Sequence, residues 1–216
     1  MNMKKVEFDY YDWNEFKQFL DQLPDKDAAK LIATIQNIEN NGLIIAERQL
    51  WVKKLENNLY EIRSKRASNI QRAIYFQVQG SQYLITNAFT KKTQKTPENE
   101  KKIARNRRSR YFNKEDQQGG PIMSKIDEYV AERSKNNPDF ANLVEQENIN
   151  LEVAVKVRNL RENMGMSQRE FASLIGKPQS TIARIENGSM NASTKVLSEI
   201  AQATKQRLTI QFRPAF

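Results

Sequence analysis

The stretch QQGGPIMSKIDEY, residues 117–129, divides the chain into two parts of different composition. Two adjacent glycines and a proline are typical of a turn or a linker, and they disfavour a helix or strand through this point. A polar amphipathic segment follows Met123, so the second part begins as a separate protein would. We therefore predict one domain over residues 1–116, a join over residues 117–122 and a second domain over residues 123–216.

The residue types that are missing exclude several kinds of chemistry. The chain has 216 residues, which fits one large or two small domains, and it contains neither cysteine nor histidine. Disulfides, Cys/His zinc sites and a Ser-His-Asp triad are therefore excluded. No run of about 18 apolar residues is present, and the first residues lack the apolar segment of a secretory signal. We expect a cytoplasmic protein without a membrane span, a metal or another cofactor.

The positive charge is unevenly distributed along the chain, whose formal net charge is +9. Residues 1–118 carry 22 Lys/Arg against 15 Asp/Glu, and residues 151–216 carry ten against five. Residues 123–150, in contrast, carry three against six. Basic domains favour nucleic acid as a partner. The acidic segment between them is a candidate partner for the basic first domain.

The spacing of apolar residues predicts an α+β fold for the first domain. An alternating segment at 5–10 indicates a strand, and Asp12 with Glu15 marks the start of a helix. A second helix follows and stops at Asn41-Gly42. Four strands are then expected, with the sequences LWVKKL, LYEIRSK, IQRAIYFQV and SQYLITNAF. A last helix follows, with Thr96 as its N-cap and Pro97 in its first turn. Helices segregated from an antiparallel sheet define this fold class.

Three motifs relate the first domain to a known family. They are LYEIRSK (59–65), QRAIYF (71–76) and AFTKKTQKTPENE (88–100). With these motifs the chain resembles the HigB-like branch of the RelE/ParE toxin superfamily over nearly all of residues 3–112. The resemblance implies a RelE-like α+β toxin domain that acts as a ribosome-dependent mRNA endonuclease and cuts message in the decoding site.

The charges of the first domain fit metal-free cleavage of RNA. Arg63, Lys65, Arg66 and Arg72 follow one another without an acidic residue among them, and Arg72 shares a strand face with apolar residues. In such cleavage the ribose 2′-OH attacks the adjacent phosphorus. Arginines can stabilise the phosphoryl oxygens, and a lysine among other cations has a lowered pKa and can act as base or acid.

The resemblance assigns candidate roles to individual residues. Arg63, Arg72 and Lys92 are the first candidates for catalysis, followed by Lys91, Lys95 and Tyr75. Contacts with RNA or the ribosome are expected from Lys65, Arg66, Arg105, Arg107 and Arg108. Many family members place a histidine late in the domain. Its absence here leaves the general acid and the general base unassigned.

The second domain contains the clearest motif, MSQREFASLIGKPQSTIARIENG at 166–188. Ser167 and Glu170 form a capping box, Gly176 allows a tight turn, and a recognition helix is expected at about 178–187. The motif resembles the Xre/lambda-repressor-like family and, in this context, a HigA-type antitoxin. The similarity covers about residues 151–204 of an otherwise all-α domain. Its other predicted helices are at 124–136, from Pro138, and from Leu151 to Asn163.

The recognition helix and its neighbours supply candidate DNA contacts. Gln179 and Arg184 can bind base edges, adenine and guanine respectively. Bases or phosphates are also within reach of Ser167, Gln168, Lys177, Ser180 and Thr181. The alternating stretch RLTIQF (207–212) predicts a C-terminal strand without a partner in this domain. We expect it to pair with a second copy, giving the homodimer that a palindromic operator requires, or to add to the toxin sheet.

Three classes of function remain open at this stage. The first is a toxin–antitoxin protein in which the acidic segment 124–147 docks on the toxin part and the antitoxin represses its own operator. The second is a DNA-binding regulator with an inactive basic N-terminal domain. The third is a toxin that acts on DNA gyrase, because fold alone does not decide between the branches of the superfamily.

The origin of the join is a separate question. Gly-Gly at 119–120 can be encoded by a ribosome-binding sequence a short distance before the codon for Met123. Residues 117–122 would then be translated intergenic sequence, from readthrough or an engineered join. A designed glycine linker and a natural fusion are the alternatives, and only the nucleotide sequence separates them.

Overall fold

The computed structural model of this chain describes residues 4–92, 95–113 and 125–211. The join at 117–122 and Met123 lie outside the described residues, so the boundary expected there stays a prediction. The chain divides into two compact units that part after Leu151. The first unit therefore contains the toxin-like domain together with the beginning of the predicted second domain.

The centre of the first unit is a sheet. Within the described residues it has five strands, in the order β1-β5-β4-β3-β2. The strands are β1 (Glu7–Tyr10), β2 (Val52–Glu56), β3 (Leu59–Arg66), β4 (Asn69–Gln79) and β5 (Gln82–Thr90). Strands β2 to β5 form an antiparallel meander, as their alternating pattern predicts. Strand β1 pairs with β5 in parallel, so the sheet is mixed and not purely antiparallel.

Helices cover both faces of this sheet. They are α1 (Trp13–Gln22), α2 (Asp25–Asn41), α3 (Leu43–Arg48) and, after β5, α4 (Glu98–Phe112). Side chains alternate between the two faces along a strand. Leu59 and Ile74 pack in one cluster with Ala104 of α4, whereas Arg66 and Asn69, of the opposite parity, contact Asp27 of α2. We call the two sides the α4 face and the α2 face.

Two details of the first unit differ from the sequence prediction. Residues 43–48 form the short helix α3, which was not predicted, because a short apolar run does not distinguish a helix from a strand. The predicted N-cap at Thr96 is wrong: Pro97 occupies the N-cap position of α4. The Thr96 hydroxyl donates to the carboxylate of Glu61 on β3 instead, at 2.7 Å.

The chain continues with α5 (Lys125–Asn136) and α6 (Phe140–Asn163). The sequence predicts separate helices from Pro138 and from Leu151, but α6 is continuous through the polar stretch between them. This stretch is stabilised as helix by long-range contacts, since the amide of Asn148 hydrogen-bonds Asn37 and Gln36 of α2. No helix in the described ranges has the length and apolar content needed to cross a membrane.

The second unit begins within α6 and continues with α7 (Gln168–Ile175), α8 (Gln179–Glu186) and α9 (Thr194–Ala203). The predicted capping box of Ser167 and Glu170 is present, and Gly176 makes the turn at a φ of 68°, which glycine adopts without strain. Phe171, Ile182 and Ile185 are buried in its core. Residues 207–211 have no regular secondary structure within the single chain, and residue 212 lies outside the described part, so a strand paired with a second copy stays a prediction.

Candidate functional site

Neighbouring strands bring basic side chains together on the α4 face of the sheet. Lys53 of β2 lies opposite Glu61 of β3, and Arg63 of β3 lies opposite Arg72 of β4. Because paired residues of adjacent strands share a face, these four side chains project to the same side. Lys91, which follows β5, interacts electrostatically with all four. We call Lys53, Arg63, Arg72 and Lys91 the cation cluster.

Arg72 is the most buried member of the cation cluster. Only 4% of its surface is exposed, so the side chain does not extend to solvent. One guanidinium nitrogen donates to the backbone carbonyls of Ser64 (3.2 Å) and Gln71 (2.8 Å). Burial lowers the pKa of Arg72 to about 10, and the charge of Glu61 opposes that decrease. The side chain therefore remains a fixed cation at neutral pH.

Glu61 lies at the centre of the cation cluster and was missed by the sequence analysis. Its carboxylate is 3.6 Å from Nε of Arg63 and 3.7 Å from Nε of Arg72, and it accepts the hydrogen bond from Thr96 on its other oxygen. The side chain is almost completely buried. The alternation of side chains along a strand could have indicated this position, because Glu61 precedes Arg63 by two residues on β3 and therefore lies on the same face.

The segment after β5 adds further lysines to this site. Lys91 is half-buried, and its backbone N–H donates to Ile70 at 2.8 Å. Burial lowers the pKa of its ammonium group, while the carboxylate of Glu61 opposes that decrease. Lys92 and Lys95 are exposed. An open groove of about 530 Å³ adjoins the cluster, lined by Lys53, Leu55, Lys91, Lys95, Thr96, Pro97, Glu98 and Lys101.

Tyr75, a predicted catalytic residue, lies elsewhere. It has the parity opposite to Arg72 and therefore projects to the α2 face of the sheet. There it is fully buried, with its ring against Phe8, Tyr60 and Tyr83. Burial raises the pKa of its hydroxyl well above the usual value. The structure does not bring it to the cation cluster, and we leave it out of the proposed site.

The predicted RNA-binding arginines of α4 have partners within the unit. Arg105 pairs with Glu56 and Glu98, and Arg107 pairs with Glu15. Arg108 donates to the backbone carbonyls of the turn between β2 and β3. These contacts hold α4 on the sheet. Of the other two candidates, Lys65 is exposed on the α4 face, while Arg66 is 3.9 Å from Asp27 on the α2 face.

Helix α5 contacts the end of α1 through two side chains. Arg133 donates to the backbone carbonyls of Leu20 (2.9 Å) and Leu23 (3.3 Å) and pairs with the carboxylate of Asp25. The hydroxyl of Tyr129 donates to Asp21 at 2.8 Å and accepts from Arg133. Tyr129 is 1% exposed. These residues form a polar anchor within a buried aromatic contact.

The first half of α6 extends this contact along α2. Glu147 accepts a hydrogen bond from the buried Lys30 at 2.8 Å, and the Asn148–Asn37 amide pair has the same length. The acidic segment thus contacts the toxin-like domain, but on helices α1 and α2 and not on the basic surface that its charge predicts. These contacts lie on the helical layer of the α2 face, whereas the cation cluster opens on the α4 face.

In the second unit, a buried carboxylate fixes α8. Glu186 is fully buried and accepts from Arg161 at 2.6 and 3.0 Å and from Gln168 at 2.9 Å. Gln168 in turn accepts from Gln179 at 2.9 Å. These hydrogen bonds connect the end of α6 with the start of α7, the start of α8 and the end of α8. They hold the predicted recognition helix against the first helix of the motif.

Replacing Glu186 by alanine is expected to destabilise the second unit by about 3–5 kcal/mol, because Arg158 and Arg161 lose their buried counter-charge. Hydrogen exchange of peptides from α7 and α8 in the full chain measures the effect. The control is Glu199→Ala, which removes a surface partner of Lys177 and is expected to have little effect. Unchanged protection in Glu186→Ala would contradict the assigned role.

Most of the predicted DNA-contacting residues are at least partly exposed in the second unit. Gln179, Ser180 and Arg184 of α8 are exposed, and Thr181 is half-buried. Ser167 caps α7, with its backbone N–H held by Glu170 at 2.7 Å. Lys177 pairs with Glu199 at 2.7 Å. The start of α8 therefore presents polar side chains on a rigid support.

Comparison with protein families gives two matches. Residues 18–109 match the family described as phage derived protein Gp49-like (DUF891). Residues 157–210 match the helix-turn-helix family. Among curated proteins, no match was found. The first matched segment contains the cation cluster and the second contains α7 and α8, so a Gp49-like domain followed by a helix-turn-helix domain is confirmed.

Proposed function

We propose that this chain, a Gp49-like domain followed by a helix-turn-helix domain, is a toxin–antitoxin module. Its first domain is an mRNA endoribonuclease that acts on the ribosome. Residues from 125 onward neutralise it, and the helix-turn-helix unit represses the operon. The observation that carries the proposal is the cation cluster, in which a buried arginine and three further cations surround one carboxylate on an open sheet face.

The cluster has the groups that cleavage of RNA requires. A buried, backbone-held guanidinium such as Arg72 is a preorganised donor for the charge of a phosphorane, and Arg63 supplies a second one. Lys91 and Lys92 are the candidates for proton transfer, and Lys91 carries the lowered pKa that this role favours. Lys95 lines the adjoining groove, where the RNA strand continues. The ribosome aligns the message.

Neutralisation is proposed to work through the helical layer. Helices α5 and α6 contact α1 and α2, on the face opposite the cluster. The two helices enlarge the toxin domain, and the larger domain no longer fits into the decoding site of the ribosome. Neutralisation of this kind does not require the helices to cover the catalytic cations.

The deciding experiment is to induce residues 1–116 alone in a bacterium while mapping mRNA 5′ ends and following protein synthesis. We expect arrest with new ends inside translated frames. Arrest without new ends, accompanied by DNA damage, would indicate a gyrase toxin. Normal growth of cells that contain residues 1–116 as soluble protein would indicate a DNA-binding regulator with an inactive first domain.

Operator binding is proposed to use the exposed start of α8 in a homodimer. Gln179→Ala is expected to weaken binding to the DNA upstream of the coding sequence by about 1–3 kcal/mol, roughly 5- to 150-fold, because an amide contact to a base is lost. Mobility shift measures this, with Lys195→Ala on α9 as control. Toxin neutralisation is expected to be unchanged, since its contacts lie in the first unit. Full binding by Gln179→Ala would exclude base readout by this residue.

A further inference from the structure

Glu61 is the acidic residue at the centre of the cation cluster. A carboxylate in a site for a polyanion repels the substrate, and a buried charge requires compensation. Glu61 is 1% exposed and has Arg63, Arg72 and Thr96 around it. Both of its carboxylate oxygens face protein groups, one of them the Nε atoms of the two arginines and the other the hydroxyl of Thr96, so we consider a role that is exerted through these neighbours.

We propose that Glu61 is a positioning residue, which holds the arginines of the cluster with one carboxylate oxygen and Thr96, the neighbour of Lys95, with the other. This inference rests on the proposed function, in which the cluster binds RNA. Glu61 would then keep the cluster assembled for a phosphate group while remaining out of contact with it.

The first part of the proposal concerns Arg72. Two backbone carbonyls fix one of its terminal nitrogens, and Glu61 is the counter-charge beside its Nε. Arg63, a like charge on the paired strand position, approaches the same carboxylate oxygen. Without Glu61, two neighbouring guanidinium groups would repel each other, one of them in a buried position. One carboxylate therefore allows both to share the site.

Two hydrogen bonds connect residues after β5 to the sheet. The Lys91 backbone N–H donates to Ile70 on β4, and the Thr96 hydroxyl donates to Glu61 on β3. Lys91, and Lys95 next to Thr96, are therefore tethered to the strands that carry the arginines. Thr96 thus has a role that explains why it does not cap α4.

Net charge alone predicts the opposite effect of removing Glu61. Removing a negative charge beside a cluster of cations should tighten the binding of a polyanion. If Glu61 positions the cluster, its removal should weaken binding despite the gain in positive charge. The matched control is Glu56→Gln, which removes the same charge from the neighbouring strand β2, where Glu56 pairs with Arg105.

The experiment uses the full chain and a fluorescent single-stranded oligoribonucleotide at low salt, with affinity measured by anisotropy. Glu61→Gln is expected to bind about tenfold more weakly than wild type, as loss of a charge-assisted contact implies. Glu56→Gln is expected to bind equally well or more tightly. Binding by Glu61→Gln that equals or exceeds wild type would overturn the proposal.

A second readout does not depend on RNA. Native-state trypsin digestion is expected to cut at Lys91, Lys92 and Lys95 faster in Glu61→Gln and in Thr96→Val, which removes the tether alone, than in wild type or Glu56→Gln. Unchanged cutting in both variants would overturn the proposal, and Thr96→Val decides if Glu61→Gln does not fold. If wild type fails to bind RNA at all, the proposed function fails, and the digestion alone decides the role of Glu61.

Discussion

Arg133→Ala is expected to abolish neutralisation when residues 1–116 and 123–216 are expressed as separate chains. Arg133 is the centre of the anchor on α1, where it donates to two backbone carbonyls, Asp25 and Tyr129. A cation is favoured at the C-terminal end of a helix such as α1. Truncating an arginine that anchors an interface through several hydrogen bonds costs about 2–4 kcal/mol, which is roughly one and a half to three orders of magnitude in affinity.

Separate chains are essential for this test. A covalent join gives the two parts an effective concentration of about a millimolar, which would hide a large loss of affinity. Growth after co-expression is the first readout, and calorimetry on the purified parts is the second. Lys135→Ala, an exposed position on the same helix, is the control and should neutralise fully. If cells with Arg133→Ala grow normally and the affinity of the two parts is unchanged, the anchor does not contribute most of the binding energy.

The anchor could not be derived from the sequence. Its contacts join residues that are more than one hundred positions apart, such as Tyr129 with Asp21, and each partner is an ordinary polar residue on a helix surface. Net charge predicted only that the acidic segment would meet the basic domain. In the structure, cations of the second part also meet acids of the first, as Arg133 with Asp25 and Lys125 with Asp9.

Local patterns, in contrast, predicted most of the fold. Strands β2 to β5, α1, α2 and the helix-turn-helix follow from apolar periodicity and from stop signals such as Gly42 and Gly176. The prediction failed where a polar side chain has a distant partner. Asn148 continues a helix through contacts with α2, and Thr96 bonds Glu61 in place of a backbone N–H.

The candidate site was predictable in part for the same reason. Strand parity placed Arg72 on the face of Ile74, and the structure adds that Arg63 is its paired neighbour. By the same alternation, Tyr75 lies on the opposite face of the sheet and therefore away from the cation cluster. Glu61 was not singled out, although the same parity places it on the face of Arg63, because one acid among basic residues does not by itself mark a site. Only its burial between two arginines and a threonine reveals its position.

Arg72→Lys is expected to reduce mRNA cleavage by the free toxin domain by at least about 100-fold, the usual cost of removing a preorganised donor to a developing negative charge. Lysine keeps the positive charge beside Glu61 and therefore avoids the uncompensated buried carboxylate that alanine would leave. Lysine lacks the planar guanidinium group. In Arg72 one nitrogen of that group donates to Ser64 and Gln71, and the other nitrogens can face a phosphate. Loss of activity can then be attributed to geometry.

The measurement is the rate of cleavage of a defined message on programmed ribosomes, with ribosome binding determined in parallel. Arg110→Lys, an exposed position on α4, is the control and should cleave normally. We expect Arg72→Lys to bind the ribosome with near-normal affinity and to cleave slowly, because the guanidinium acts on the transition state and contributes little to docking. A variant that cleaves at the normal rate would remove Arg72 from the catalytic site, and Arg63 with Lys92 would become the next residues to test.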